Sequence, residues 1–258
     1  GNIIMSQVEV DKIIPQSGTT LTVGDSGDTI TIPSGATLSV SGSLGTLSSL
    51  TVNGNVSIDG GTIKLDGNYP VGTNNVALGD GALDDGSLTG ASNVAIGHQA
   101  LTVNTTGANN NAIGVTSQLS NTTGNNNTSL GHYSLRSNVS GSSNTSIGTQ
   151  SLQNNTASNN TAVGFSSLCA NTTGCQNTAL GDSSLKANTT GCCNTSLGRS
   201  SLTANTTGCY NTAVGRGALQ TNTTANNNTA VGFLSLFDNT TGTNNVALGM
   251  SSLICNTT

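Results

Sequence analysis

A seventeen-residue repeat occupies most of the chain and constrains its fold more than any other feature. Its core reads N-T-A-[VLI]-G-x-x-[SA]-L-x-x-N-T-T-G-x-x, and we call the glycine after the aliphatic residue the closing glycine. One apolar cluster per short period, without a long helical stretch, is typical of a solenoid whose coils stack by β-pairing. The closing glycines, at ten intervals that average 17 residues, are Gly79, Gly97, Gly114, Gly131, Gly148, Gly164, Gly181, Gly198, Gly215, Gly232 and Gly249.

The composition agrees with a solenoid and excludes several functions. The 258 residues include no Trp, three Tyr and three Phe, and 7% are charged, so the chain cannot build the core of an ordinary globule. A stack of coils needs little apolar material, because each coil buries its faces against its neighbours. The net charge of −5 and the lack of a basic patch argue against a nucleic-acid or anionic-membrane partner. No apolar run is long enough for a membrane span or a signal peptide.

Three segments follow from the pattern. Residues 1–14 are interpreted as a leader and attachment segment, in which Met5 is the expected native start. Residues 15–67 carry brief alternating runs closed by Gly, Asp or Pro, which predict short strands. Residues 68–258 form the predicted solenoid shaft, and the sequence ends inside a repeat at Thr258, so we expect it to continue.

The repeat predicts columns of equivalent residues along the stack. The aliphatic residue before each closing glycine and the Leu four after it are expected to form the apolar seam. In one coil Gln118 takes the Leu position, and Leu119 is expected to replace it. The residue two before the closing glycine is Ala or Ser, and this size limit predicts close approach of a second subunit in a homotrimer. That proposed trimer-contact column includes Ala179, Ser196, Ala213 and Ala230.

The Asn-Thr-Thr-Gly segment is predicted to form a corner of each coil. Asn and Gly suit the left-handed conformation, and the hydroxyls can bond to local backbone. Stacking places Asn above Asn, so the side-chain amides are expected to form ladders along the axis. The Leu column is expected to contribute more to stability than the corner Asn residues.

Two resemblances to known families bear on fold and function. The N-T-A-[VLI]-G-x-x-[SA]-L pattern resembles the repeats of YadA-like head domains in trimeric autotransporter adhesins, which implies a left-handed parallel β-roll packed as a trimer. The opening, SQVEVDKIIPQSGTTLTVGDSGDTITIPSGATLSV, is similar to the N-terminal part of tail-fibre proteins from marine phages. The period of 17 and the extra corner differ from the YadA-like pattern. The tail-fibre resemblance implies that a self-cleaving trimerisation domain could follow Thr258.

Residues capable of catalysis do not converge in the sequence. His98 and His132 both follow a closing glycine, at a position that elsewhere accepts any residue type, which indicates surface histidines. The acids do not recur regularly at one position, which argues against paired carboxylates and against a calcium repeat. We therefore predict no catalytic residue, no metal site and no cofactor.

The six cysteines leave alternatives open. Cys175, Cys192 and Cys209 share one column at a spacing of 17, and Cys193 flanks the middle one. Free half-buried thiols, a disulfide between adjacent coils and a bound metal are all compatible with this column. A reducing host cytoplasm would favour free thiols.

The predicted function is structural. The chain is expected to be the trimeric shaft of a phage tail fibre in the virion, with a baseplate or tail protein bound near Val8–Ile14 and a host receptor bound by a distal part. The alternative is a cell-surface adhesin or glycan-binding module, with Phe233, Leu234 and Phe237 as the contact patch. An ice-binding solenoid is a weaker hypothesis, because the recurrent pair is Thr-Thr, whose hydroxyls point to opposite faces.

Overall fold

The structure is a computed structural model, and it describes residues 73–257. Every regular element in this part is a β-strand of three residues, with one strand per coil. The strands are β1 (Val76–Leu78), β2 (Val94–Ile96), β3 (Asn111–Ile113), β4 (Thr128–Leu130), β5 (Thr145–Ile147), β6 (Thr161–Val163), β7 (Thr178–Leu180), β8 (Thr195–Leu197), β9 (Thr212–Val214), β10 (Thr229–Val231) and β11 (Val246–Leu248). Segments 1–14 and 15–67 lie outside the described residues, so their assignments remain predictions.

The eleven strands form one parallel sheet in the order of the sequence. Each strand pairs with the next through equivalent positions of the repeat, as in Thr178↔Thr195 and Leu180↔Leu197. The register is kept even across the sixteen-residue coil, where Thr145 pairs with Thr161. The predicted parallel β-solenoid with about 17 residues per coil is therefore confirmed.

The orientation of the strand residues differs from the prediction. In β7, Ala179 points into the coil and is 0% exposed, whereas Leu180 points outward and is 43% exposed. Alternation requires the two residues to face opposite sides, but both are apolar, so the sequence pattern does not decide which one is inside. The proposed trimer-contact column is wrong, because its members are 0% exposed within a single chain: Ala179, Ser196, Ala213 and Ala230.

The size limit at this column comes from packing inside the coil. The small residue shares the interior with the Leu four positions after the closing glycine, and these Leu side chains are fully buried. Leu202 holds this place with a φ of +46°, in a left-handed turn. Where the small residue is Ser196, its hydroxyl donates to the Ser201 carbonyl at 3.0 Å and accepts from Ser184 at 2.7 Å. The interior thus has room for one large side chain per coil.

One coil replaces the buried Leu with a polar side chain. Gln118 keeps the inward position and is 0% exposed, whereas Leu119 is half-buried, so the predicted exchange of the two is wrong. The Gln118 amide nitrogen donates to the Asn111 carbonyl at 3.0 Å and to the Ser129 hydroxyl at 2.8 Å. These bonds satisfy its donors, and the apolar core is divided at this coil into two clusters.

The closing glycines allow the coils to approach closely. Gly198 has a φ of +132°, and a Cβ built on it would lie 2.7 Å from the carbonyl carbon and oxygen of Gly215 in the next coil. Both the backbone conformation and the contact therefore exclude a side chain.

The corner Asn-Thr-Thr-Gly also differs from its predicted conformation. Asn205 and Gly208 are not among the residues with positive φ, which in this coil are Gly198, Ser200, Leu202 and Tyr210. Space restricts the corner position to Gly or Ala. A Cβ on Gly191 would lie 2.5 Å from Asn188 Oδ1 and 3.0 Å from Asn205 Nδ2, and two other coils accommodate Ala157 and Ala225 at this position. The corner is defined by the coil beside it and not by a left-handed residue.

The predicted asparagine ladder is confirmed, and a second one runs beside it. In the corner ladder, Asn205 donates to Asn188 Oδ1 at 2.8 Å and to the Gly208 carbonyl at 3.0 Å, and its Oδ1 accepts from Asn222 at 2.9 Å. In the second ladder, formed by the Asn that precedes each strand, Asn194 donates to the same Gly208 carbonyl at 2.8 Å. The Asn194 Oδ1 accepts from the backbone N–H of Asn211 at 3.0 Å.

We expect Gly198→Ala to destabilise the solenoid strongly. Overpacking costs about 1–3 kcal/mol, and holding a non-glycine residue in a disfavoured backbone region adds about 1–3 kcal/mol. Gly86→Ala is the matched control, because a Cβ there meets nothing within 4 Å and its φ is not in the left-handed region. Thermal unfolding, monitored by circular dichroism, should show a much lower melting temperature for Gly198→Ala and an almost unchanged one for Gly86→Ala. Equal melting temperatures would contradict the close contact between coils.

The structure also changes the expected contributions of the Leu column and the corner Asn residues to the stability of the solenoid. Leu202→Ala should cost about 2–5 kcal/mol. Asn205→Ala removes three buried hydrogen bonds, and each partner left unsatisfied costs about 1–3 kcal/mol, so we expect at least an equal loss. Thr207→Ala, on the exposed side of the same corner, is the control. A melting temperature for Asn205→Ala that lies well above that of Leu202→Ala would show that the apolar seam dominates.

Candidate functional surfaces

The outward side of the parallel sheet is the most regular surface in the described residues. We call it the strand face, and it consists of the first and third residues of β1 to β11. The third residues form an unbroken aliphatic column, in which Leu180 and Leu197 are 43% and 42% exposed. The first residues include a continuous threonine column at Thr128, Thr145, Thr161, Thr178, Thr195, Thr212 and Thr229.

The chemistry of the strand face is uniform along the axis. None of the eleven strands contains a charged residue, and aliphatic side chains are repeated at every coil. Extended apolar exposure of this kind marks a site of contact with another molecule. Sequence reasoning missed this surface because it placed the aliphatic column inside. The alternation in N-T-A-[VLI]-G puts Ala and the aliphatic residue on opposite sides of the strand but does not say which side is inside.

The residues directly after the closing glycines form a more variable column. His98 and His132 are both exposed there, as predicted. Asp80 lies 3.7 Å from His98, and Asp182 lies 3.6 Å from Arg199, each across one coil spacing. Ion pairs as exposed as these contribute about 0–1 kcal/mol. The charge of this column therefore differs from coil to coil and adds little to stability.

The structure brings the predicted contact patch together only in part. Phe233 is 40% exposed, and the Arg216 guanidinium lies 5.5 Å from its ring centroid. Leu234 and Phe237 are half-buried. They fill the space above Gly217, where a Cβ would lie 2.7 Å from Leu234 Cδ2 and 3.8 Å from Phe237 Cδ2. The exposed apolar surface is small, and a partner at Phe233 stays a prediction.

The cysteine column lies at the corner, and all six cysteines are free thiols. The Sγ atoms of Cys175 and Cys192 are 3.1 Å apart, and Cys192 accepts a hydrogen bond from the Cys175 backbone N–H at 3.0 Å. The hydrogen bond with Cys192, followed by burial, raises the pKa of Cys175. Burial also raises the pKa of Cys169, against the opposing effect of Lys186.

Residues 73–257 contain no group of three or more His, Cys, Asp or Glu side chains arranged to hold a metal ion.

Within the same residues, no helix has the length and apolarity that crossing a membrane requires.

Comparison of the chain with protein-family models, with curated proteins and with solved structures gives no match.

Proposed function

We propose that this chain is the structural shaft of a trimeric phage tail fibre that supports adhesion to a host cell. The observation that carries the proposal is the in-register stacking of eleven equivalent coils, each joined to the next by strand pairing and by two buried asparagine ladders. Such a stack extends along one axis while presenting the same surface at every coil. This property suits a spacer better than a catalyst, which needs several unlike groups held together in a concavity.

The strand face supports self-association. Half-exposed aliphatic side chains contribute on the order of 400 Å² over eleven coils, if a Leu or Val buries about 60–120 Å² in full. The threonine column beside them raises this area toward the roughly 800 Å² per partner of a stable interface. A second copy has the same axial repeat, so its columns match at every coil. Three strand faces around one axis would cover the aliphatic columns and place no charge in the contact.

A double substitution tests this contact. Leu180→Lys with Leu197→Lys would place six ammonium groups around a three-fold axis, and we expect the variant to be monomeric by sedimentation equilibrium. Thr173→Lys with Thr190→Lys is the control, because both threonines are exposed at the corner, away from the strand face. Circular dichroism should show that both variants keep the solenoid. A monomeric unsubstituted chain, or a trimer that survives the strand-face substitutions, would contradict the proposed contact.

The assignment to a phage fibre rests on the resemblance of the opening sequence. We propose that residues near Val8–Ile14 bind a baseplate or tail protein and that receptor binding belongs to a distal part. Deletion of residues 5–14 is expected to abolish incorporation into the particle without changing the melting temperature of the solenoid. Incorporation can be measured by immunoblotting of purified particles. Fibres that still attach without this segment would place the attachment elsewhere.

The threonine column favours ice binding as a second candidate. Thr178 and Leu180 point outward from the same strand, so each of the seven coils from β4 to β10 presents a hydroxyl and a methyl group beside an aliphatic side chain. The Thr-Thr pairs lie at the corner, whereas the strand face carries single threonines that all point outward. Ice binding requires the strand face to be free, and it would appear as thermal hysteresis of a monomer that Leu180→Lys with Leu197→Lys removes. A trimer without thermal hysteresis would exclude it.

A further inference from the structure

The position after the corner glycine has a defined role in the stack. Its side chain accepts a hydrogen bond from the backbone N–H of the equivalent residue in the preceding coil. Oxygen atoms do this in several coils: Ala108 donates to Asn125 Oδ1 at 2.8 Å, and Ser142 donates to Ser158 Oγ at 2.9 Å. The position therefore forms an acceptor column at the edge of each corner.

Three consecutive coils use sulfur in this column. Cys192 accepts from the Cys175 N–H at 3.0 Å, and Cys209 accepts from the Cys192 N–H at 3.1 Å. The next acceptor is an amide oxygen again, at Asn226, 2.7 Å from the Cys209 nitrogen. A thiol sulfur is a weaker acceptor than a hydroxyl or amide oxygen. Accepting this hydrogen bond does not by itself account for cysteine in three adjacent coils.

The sulfur atoms of the first pair are already in contact. Cys175 Sγ lies 3.1 Å from Cys192 Sγ, and both residues are partly exposed. Equivalent residues of adjacent coils have Cα atoms separated by a strand spacing of about 4.8 Å, within the roughly 4.4–6.8 Å found across disulfides. A bond requires the sulfurs to approach from 3.1 Å to about 2.05 Å.

We propose that Cys175 and Cys192 are an oxidation site that forms an intrachain disulfide between adjacent coils. The oxidant is a small-molecule disulfide. The thiolate of one cysteine attacks it, forms a mixed disulfide and releases one thiol; the second cysteine then attacks the mixed disulfide and releases the other. The two protein thiols together lose two electrons and two protons. The small disulfide takes up both and is reduced to two thiols.

The disulfide would restrain opening of the stack at one corner. Thr172 and Thr189 in the same two corners are joined by a backbone hydrogen bond of 2.9 Å, which local separation of the coils would break. A covalent bond across seventeen residues limits that separation. The bond involves one position of the repeat, and its formation does not depend on whether the chain is a fibre shaft.

Mass spectrometry can detect the bond because tryptic sites separate the three cysteines of the column, although Cys169 shares a peptide with Cys175 and Cys193 shares one with Cys192. The intact chain is incubated with oxidised glutathione, alkylated with iodoacetamide, then denatured and digested with trypsin. Cleavage after Lys186 and Arg199 places Cys175 in peptide 137–186, Cys192 in peptide 187–199 and Cys209 in peptide 200–216. We expect peptides 137–186 and 187–199 to be linked, with loss of two hydrogens and a fall in free thiols from six to four.

Variants assign the linkage to the two cysteines. Cys192→Ser should abolish it, and Ser already occupies this column elsewhere in the chain. Cys169→Ser, Cys193→Ser and Cys209→Ser should all retain it. Oxidation should raise the melting temperature of the unsubstituted chain on the order of 5 °C and leave that of Cys192→Ser unchanged. Unlinked peptides, a link between 187–199 and 200–216, or a linked dimer on a non-reducing gel would overturn the assignment.

Discussion

Hydrogen bonding along the stacking axis is the interaction on which the rest of the structure depends. Parallel strands pair only three residues of each coil, so most of the backbone needs other partners. Backbone groups of the adjacent coils supply most of them, as in the bond from the Leu185 N–H to the Ser201 carbonyl at 3.0 Å. The two buried asparagine ladders add side-chain bonds to corner carbonyls and to backbone N–H groups. This arrangement requires the coils to lie at strand spacing around their whole perimeter. The closing glycines permit that approach, since a Cβ on a residue such as Gly198 would meet the backbone of the next coil, and the corner position holds only Gly or Ala.

The small cross-section of the coil determines the composition. An interior that holds one Leu and two small residues, Ala or Ser, in a typical coil provides little apolar burial, which explains how a chain without Trp can fold. A polar side chain can enter this interior, as Gln118 does: its amide nitrogen donates to the Asn111 carbonyl and the Ser129 hydroxyl, while its Oε1 is buried without a hydrogen-bond partner. Stability is therefore shared between the apolar column and buried polar contacts, and neither resembles the core of a globular domain.

The small cross-section of the coil also leaves aliphatic side chains on the outside. A three-residue strand turns its middle residue inward and its flanking residues outward, so the repeat N-T-A-[VLI]-G commits its larger aliphatic residue to the surface. Repetition converts one half-exposed side chain per coil into a column that runs along the described sheet. A partner with the same axial repeat is the natural complement to such a column. The proposed self-association rests on this column and not on any specialised site.

Residue spacing alone was enough to predict the period, the parallel stacking, the corner ladder and the surface position of His98 and His132. Spacing carries these features because residues one period apart must become neighbours in a stack. The folded coil was needed to show which face of each strand is inside, since Ala179 and Leu180 are both apolar and alternation alone is symmetric between the two sides. The structure was also needed to show that Gln118 points inward. It was needed as well to show that Leu202, and not the corner Asn205, adopts the left-handed conformation. Those outcomes depend on the space between the strand and the opposite turn, which no single repeat encodes.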